Sequence, residues 1–117
     1  MNRPVVTVVG LGPGPVGLVT QETLDAIAGA TTRFVRTTRH PSAAAVGDAT
    51  SFDDEYERHD TFAEVYAAIA NRVGDAALHN GSALYAVPGS PGVLEDVVQR
   101  LLADTRLDVR VMSAVSF

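Results

Sequence analysis

The sequence predicts an α/β domain built on a mainly parallel sheet flanked by helices, and three observations predict it. A β-branched run from Val5 to Val9, broken only by Thr7, suits a strand buried on both faces. A second apolar run, Ala83 to Val87, stops at Pro88 and Gly89 and feeds a segment of helical periodicity. Around these runs, strand and helix patterns alternate along the chain, as parallel sheets require.

The totals narrow the class. A chain of 117 residues fits one domain and can bury a core without staples. It has no cysteine, which excludes disulfides and thiolate metal sites. No apolar run approaches the ~20 residues of a membrane helix. The start, Met1 to Pro4, has one basic residue and does not read as a secretory signal, so the cytoplasm is the expected location. The net charge is −5 and the nine basic residues are scattered, which argues against a nucleic-acid surface.

Taken in order, Val5 to Val9 runs into Gly10-Leu11-Gly12-Pro13-Gly14-Pro15-Val16-Gly17, too rich in Gly and Pro for regular structure. Thr20 reads as an N-cap, Glu22 and Asp25 sit near the helix start, Leu24, Ile27 and Ala28 form a buried stripe, and Gly29 stops the helix. Arg33 to Arg36 reads as a short strand, Thr37 to Pro41 as a turn, and Ser42 to Val46 as one helical turn. Thr50 to Phe52 is a short strand candidate, and Asp53 to Asp60 reads as a solvated, charge-dense loop. Thr61 and Glu64 make a capping box for a helix whose apolar face is Phe62, Val65, Tyr66, Ile69 and Val73. That helix runs to about Leu78 and leaves through Asn80-Gly81.

Ala83 to Val87 then gives a buried strand, and Pro88 to Gly92 a loop in which Ser90 is an N-cap and Pro91 the first helical position. Glu95 and Asp96 lie near the positive end of the dipole, and Leu94, Val97, Val98, Leu101 and Leu102 recur at helical spacing up to Ala103. Asp108 to Met112 is the last strand. The apolar tail from Ser113 to Phe117 lacks a polar fade-out, so the chain reads as cut from something longer.

Little of this carries chemistry outright. Gly12-x-Gly14-x-x-Gly17 formally matches a dinucleotide fingerprint, yet Pro13 and Pro15 offer no N–H and the cap at Thr20 starts the helix after the glycines. The position of an acidic ribose partner holds Val35 and Arg36, and no Walker lysine is present. The loop from Asp53 to Asp60 lacks calcium-loop spacing. His40, His59 and His79 form no ligand pattern and read as surface or capping residues. Ser90 does not meet the nucleophile-elbow pattern, because Gly89 directly precedes it and no glycine stands two positions before it. Tyr56, Phe62 and Tyr66 suit packing better than base stacking. What remains are two Gly/Pro loops after parallel strands, at the edge where open α/β sheets bind ligands. Such a scaffold suits a reaction that needs mostly positioning, and equally a binding module.

Three stretches taken together resemble the tetrapyrrole (corrin/porphyrin) methylase family of S-adenosylmethionine-dependent methyltransferases. Val8 to Gly14 followed by Leu18-Val19-Thr20 is similar to the family's first strand, Gly-Pro-Gly-Asp loop and Leu-Thr helix start. Ala86 to Pro91 is similar to its Gly-Asp-Pro loop, and Val111 to Phe117 to its Pro-Gly-Val-Ser-Ser loop. Finer texture resembles the branch fused to a MazG nucleotide pyrophosphohydrolase: the run from Arg33 to Pro41, Phe52-Asp53, Tyr56-Glu57 and Val65-Tyr66.

The resemblance spans residues 1–117 and implies the first domain of the methylase fold, the N-terminal half of a methylase-like region whose second half is absent. It implies S-adenosylmethionine as cofactor, with Gly12 and Pro13 beside it from the first loop and Gly89, Ser90 and Val93 from the second. Ser116 and Phe117 would add contacts from the last loop. Gly89 and Gly92 allow close backbone approach. The implied partners are a small-molecule methyl acceptor, the second methylase domain and a MazG domain, with neither nucleic acid nor membrane. An exposed inter-domain face makes a homo-oligomer expected. Two departures stand out: Pro15 and Ser90 replace acidic residues of the family's loops. They open a competing expectation, a non-catalytic regulatory or assembly module that kept the fold, and this fragment alone is expected not to turn over. A Rossmann-type dehydrogenase, with NADP held by Arg36, is a third reading.

Overall fold

The computed structural model describes residues 3–11, 20–39, 43–87 and 96–112. Among them, five strands form one sheet: β1 (Val5–Gly10), β2 (Arg33–Val35), β3 (Thr50–Ser51), β4 (Ser82–Val87) and β5 (Asp108–Val111). Their order is β3-β2-β4-β1-β5 and every neighbouring pair is parallel. The helices are α1 (Gln21–Gly29), α2 (Asp53–Arg58), α3 (Phe62–Asn80) and α4 (Asp96–Leu102), with a 3₁₀ turn at Ala43–Val46.

Strand alternation sorts the core into two layers. Val6 and Val8 of β1, Phe34 of β2, and Ala83, Tyr85 and Val87 of β4 pack against Val65, Ile69 and Val73 of α3 and Val97, Val98 and Leu101 of α4. On the other face, Val9, Val35, Leu84 and Ala86 pack with Leu11, Ile27 of α1 and Val46. Both faces of β1 and β4 are therefore covered, which explains their unbroken apolar sequences. The crossover through α1 travels one way across the sheet; those through α3 and α4 return on the opposite face. Crossovers of a single hand need that division.

The local signals act as expected at the main elements. Thr20 caps α1 by accepting the Thr23 N–H at 3.2 Å, and Thr61 caps α3 by accepting the Glu64 N–H at 3.2 Å. Gly81 ends α3 with φ +90°, a conformation that favours glycine. Ser90, Pro91 and the Gly/Pro loop from residue 12 to 19 lie outside the described residues, as do His40 and the tail from 113.

Four expectations need correction. Asp53 to Asp60 is not a loop: residues 53–58 form α2, and Glu55 is buried. The three acidic residues of its first turn favour the positive end of the helix dipole, and the Asp53 N–H is accepted by Ser51 Oγ at 3.0 Å. The inward residue on α1 is Thr23 rather than Ala28, which is exposed, because the hydroxyls of Thr20 and Thr23 satisfy each other at 2.9 Å. Phe62 is 68 % exposed, at the first helical position of α3. Leu102 is 53 % exposed, at the last position of α4.

Candidate ligand-binding edge

The carboxyl ends of all five strands lie along one edge, and backbone hydrogen bonds carry the ladder to its rim. Leu11 N–H donates to the Val87 carbonyl at 2.8 Å, and Met112 N–H to that of Val8 at 2.9 Å. Arg36 N–H donates to the Ala86 carbonyl at 3.0 Å, and Phe52 N–H to that of Val35 at 3.2 Å. Gly10 stands opposite Val87, and Val8 opposite Val111. Segments 12–19, 88–95 and 113–117 therefore begin at the ends of three adjacent strands, β1, β4 and β5. Gly12, Pro13, Gly89, Ser90, Val93, Ser116 and Phe117 belong to those segments and lie outside the described residues.

The same edge holds a cleft beyond β2 and β3, which sequence reasoning passed over. It encloses about 490 Å³ and is lined by Arg36, Thr37, Arg39, Asp53, Tyr56 and Glu57. Asp53 ties its two walls together. One carboxylate oxygen accepts Thr38 N–H at 3.1 Å, Thr38 Oγ1–H at 2.8 Å and Ser51 Oγ–H at 2.8 Å. Burial pushes this carboxyl up, but hydrogen bonds from Thr37, Thr38 and Ser51 together outweigh it and hold it well below the usual carboxylate range. Thr37 Oγ1 also accepts Arg39 N–H at 3.1 Å. The signal that pointed here was the pair of segments, 33–41 and 52–57, whose texture resembled one branch of the family. Reading 53–60 as a solvated loop hid their convergence.

Behind the cleft, α2 is pinned by charge. The Glu55 carboxylate accepts Arg58 Nη1 at 2.8 Å and Arg72 Nη1 at 3.4 Å, and faces His59 Nε2 at 3.2 Å. His59, read as a surface or capping residue, is half-buried and also approaches Glu64 at 3.7 Å. The Arg72 guanidinium lies 4.7 Å from the Phe52 ring centroid. Tyr56, Phe62 and Tyr66 pack on one another at centroid distances of 6.4 and 6.0 Å, in line with the packing role expected of them.

The model for Tetrapyrrole (Corrin/Porphyrin) Methylases matches residues 5–117. The chain belongs to this family. A relative, "Uncharacterized protein YabN" of Bacillus subtilis (strain 168), is 41% identical over 100 residues, which are 82% of this chain and 20% of that protein. The methylase fold itself is borne out by solved structures. Uroporphyrin III C-methyl transferase from Thermus thermophilus superposes with a TM-score of 0.67 at 18% identity, over 96% of this chain and 49% of that one. A diphthine synthase superposes with a TM-score of 0.56 at 16% identity, over 94% and 44%. The chain thus spans about half of each methylase structure and a fifth of the curated relative. Among the described residues, no helix is long and apolar enough to cross a membrane.

Proposed function

We propose that this chain is the cofactor-side half of an S-adenosylmethionine-dependent methyltransferase-family protein, from a parent of the kind fused to a MazG nucleotide pyrophosphohydrolase. The observation that carries this reading is the adjacency of β4, β1 and β5, whose carboxyl ends launch all three family-like loops from one edge. That adjacency fits a ligand lying across β1, since small backbone-rich loops on either side allow close approach. Gly12 and Pro13, then Gly89, Ser90 and Val93, then Ser116 and Phe117 would line it. When bound, S-adenosylmethionine supplies a methyl group on a sulfonium, open to in-line attack by a nucleophile of the acceptor. The chain's share is orientation, worth up to ~7–11 kcal/mol in favourable systems. The partners in this reading are a small-molecule acceptor, a second α/β domain closing the trough, and a further copy of the chain, in the cytoplasm.

A second reading has a specific observation behind it. Pro15 and Ser90 stand where the family has acidic residues, which favours a non-catalytic module that keeps the fold beside a nucleotide-cleaving partner. Titration of S-adenosylmethionine and S-adenosylhomocysteine into the full-length parent separates the two. The first reading expects heat on binding and shifts at the amides of Leu11, Val87 and Met112. Neither heat nor shifts at millimolar ligand removes it and leaves the second.

A further inference from the structure

The corner where α2 meets α3 carries an aromatic side chain that core packing does not explain. Phe62 is the most exposed large apolar side chain among the described residues, yet its ring is held in place. It stacks on Tyr66 at 6.0 Å with 14° between the planes, and meets the Tyr56 ring edge-on at 6.4 Å. A lone aromatic on a surface is unremarkable, whereas one braced by two others keeps a fixed face toward solvent. Beside it lies a groove of about 420 Å³, lined by Tyr56, His59, Asp60, Thr61, Phe62 and the buried Val65.

Most of these groups are already engaged. The rings of Tyr56 and Tyr66 brace Phe62, His59 faces Glu55 at 3.2 Å, and the Thr61 hydroxyl accepts the Glu64 N–H at 3.2 Å. What the groove offers is the open surface of Phe62 and the carboxylate of Asp60. Residue 60 is exposed, and its side chain has no hydrogen bond or ion pair among the described residues.

The surrounding charge has one sign. Six of the chain's fourteen acidic residues and one of its nine basic ones lie between positions 53 and 64. Arg58 and Arg72 answer Asp54 and Glu55. Glu57, Asp60 and Glu64 are exposed, with no guanidinium beside them among the described residues. A second copy seated face to face on this corner would set like charge against like, which argues against it as the occupant. A partner that brings a cation together with an apolar group is complementary. An aromatic face attracts a guanidinium or ammonium, and a carboxylate pairs with it. An aromatic anchor inside a polar rim is also how protein interfaces are commonly built.

We infer that the α2–α3 corner is a docking surface for a partner-protein segment in which an arginine or lysine flanks an apolar side chain. The apolar group packs in the groove against Phe62 and Val65, and the cation pairs with Asp60 and the Phe62 ring. None of the loop residues of the cofactor reading takes part, so the surface stands whether or not S-adenosylmethionine binds.

The test is titration of the ¹⁵N-labelled chain with three peptide probes: acetyl-Leu-Arg-Leu-Arg-amide, its charge-reversed form acetyl-Leu-Glu-Leu-Glu-amide, and acetyl-Gly-Arg-Gly-Arg-amide. The first should shift the amides of residues 59–66, bind about tenfold more tightly than either control, and weaken as salt rises. Phe62→Ala should weaken it by about tenfold. Asp60→Asn, at an exposed position with no described partner to lose, should leave the free spectrum intact, weaken binding by about threefold and flatten its salt dependence. Sedimentation of the free chain tests the other occupant. Any of four results overturns the inference: no shift at these amides up to about 10 mM of the first peptide; equal binding of the charge-reversed peptide; affinity unchanged in both variants; or self-association of the chain that Phe62→Ala abolishes, which would give the corner to a second copy.

Discussion

Glu55 offers the sharpest test of how α2 is held. Its side chain is 2% exposed, yet its partners reach water: Arg58 is 62% exposed, Arg72 38% and His59 26%. Removing a buried charge's partner is costly because the charge stays behind unpaired, whereas removing the buried charge leaves only partners that can be hydrated. Glu55→Met keeps the volume and frees two guanidiniums and an imidazole into solvent, so its stability should lie within about 1 kcal/mol of wild type. Arg72→Ala leaves Glu55 buried with fewer donors and strips the cation from the Phe52 ring. It should cost about 2 kcal/mol, below the ~3–5 kcal/mol of a fully broken buried pair because Arg58 and His59 remain. With a urea slope of about 1.5 kcal/mol/M, that is a fall of roughly 1.3 M in midpoint. Urea unfolding at neutral pH, followed by circular dichroism, reads both. If Glu55→Met lowers the midpoint as far as Arg72→Ala does, the asymmetry between buried anion and exposed cations is not what holds α2.

The remaining predictions concern Asp53 and two glycines. Because the Asp53 carboxyl lies below its ordinary value in the folded chain, its contribution is complete above about pH 3.9 and drains away as pH falls from there toward the lower native value. Asp53→Asn should therefore cost about 1–2 kcal/mol at neutral pH and flatten the acid limb of stability against pH; an unchanged acid limb would remove Asp53 as its source. Gly81→Ala should destabilise by at least ~1 kcal/mol in thermal melts, since φ is +90° and a Cβ there meets nothing that would add to the strain. Gly29→Ala, also with open space around its Cβ but at a helical position without positive φ, should stabilise by about 0.4–1 kcal/mol. If both glycine variants move stability the same way, backbone conformation is not what separates them.

Much of the architecture was readable because its causes are local. A β-branched run makes β1 whatever it later pairs with, and a threonine three residues before a glutamate starts α3. The exits and caps at Thr20, Thr61 and Gly81 follow the same logic. The first-loop, second-loop and tail residues were recognisable by family texture, and the parallel order of β4, β1 and β5 sets their segments off from one edge.

What the chain alone could not reveal rests on partners distant in sequence. The stretch after Phe52 looked like mutually repelling charges because one of the two arginines that answer Glu55, Arg72, lies 17 positions beyond it. Phe62 and Leu102 fit the apolar periodicity but fall at helix ends and stay more than half exposed. Composition and periodicity determined that helices would cover both faces of a parallel sheet, since those properties belong to each segment by itself. Only the folded arrangement decided that β2 and β3 would end side by side and bring Arg36 and Arg39 across from Tyr56. Strand order depends on long-range pairing, which no local window of residues encodes.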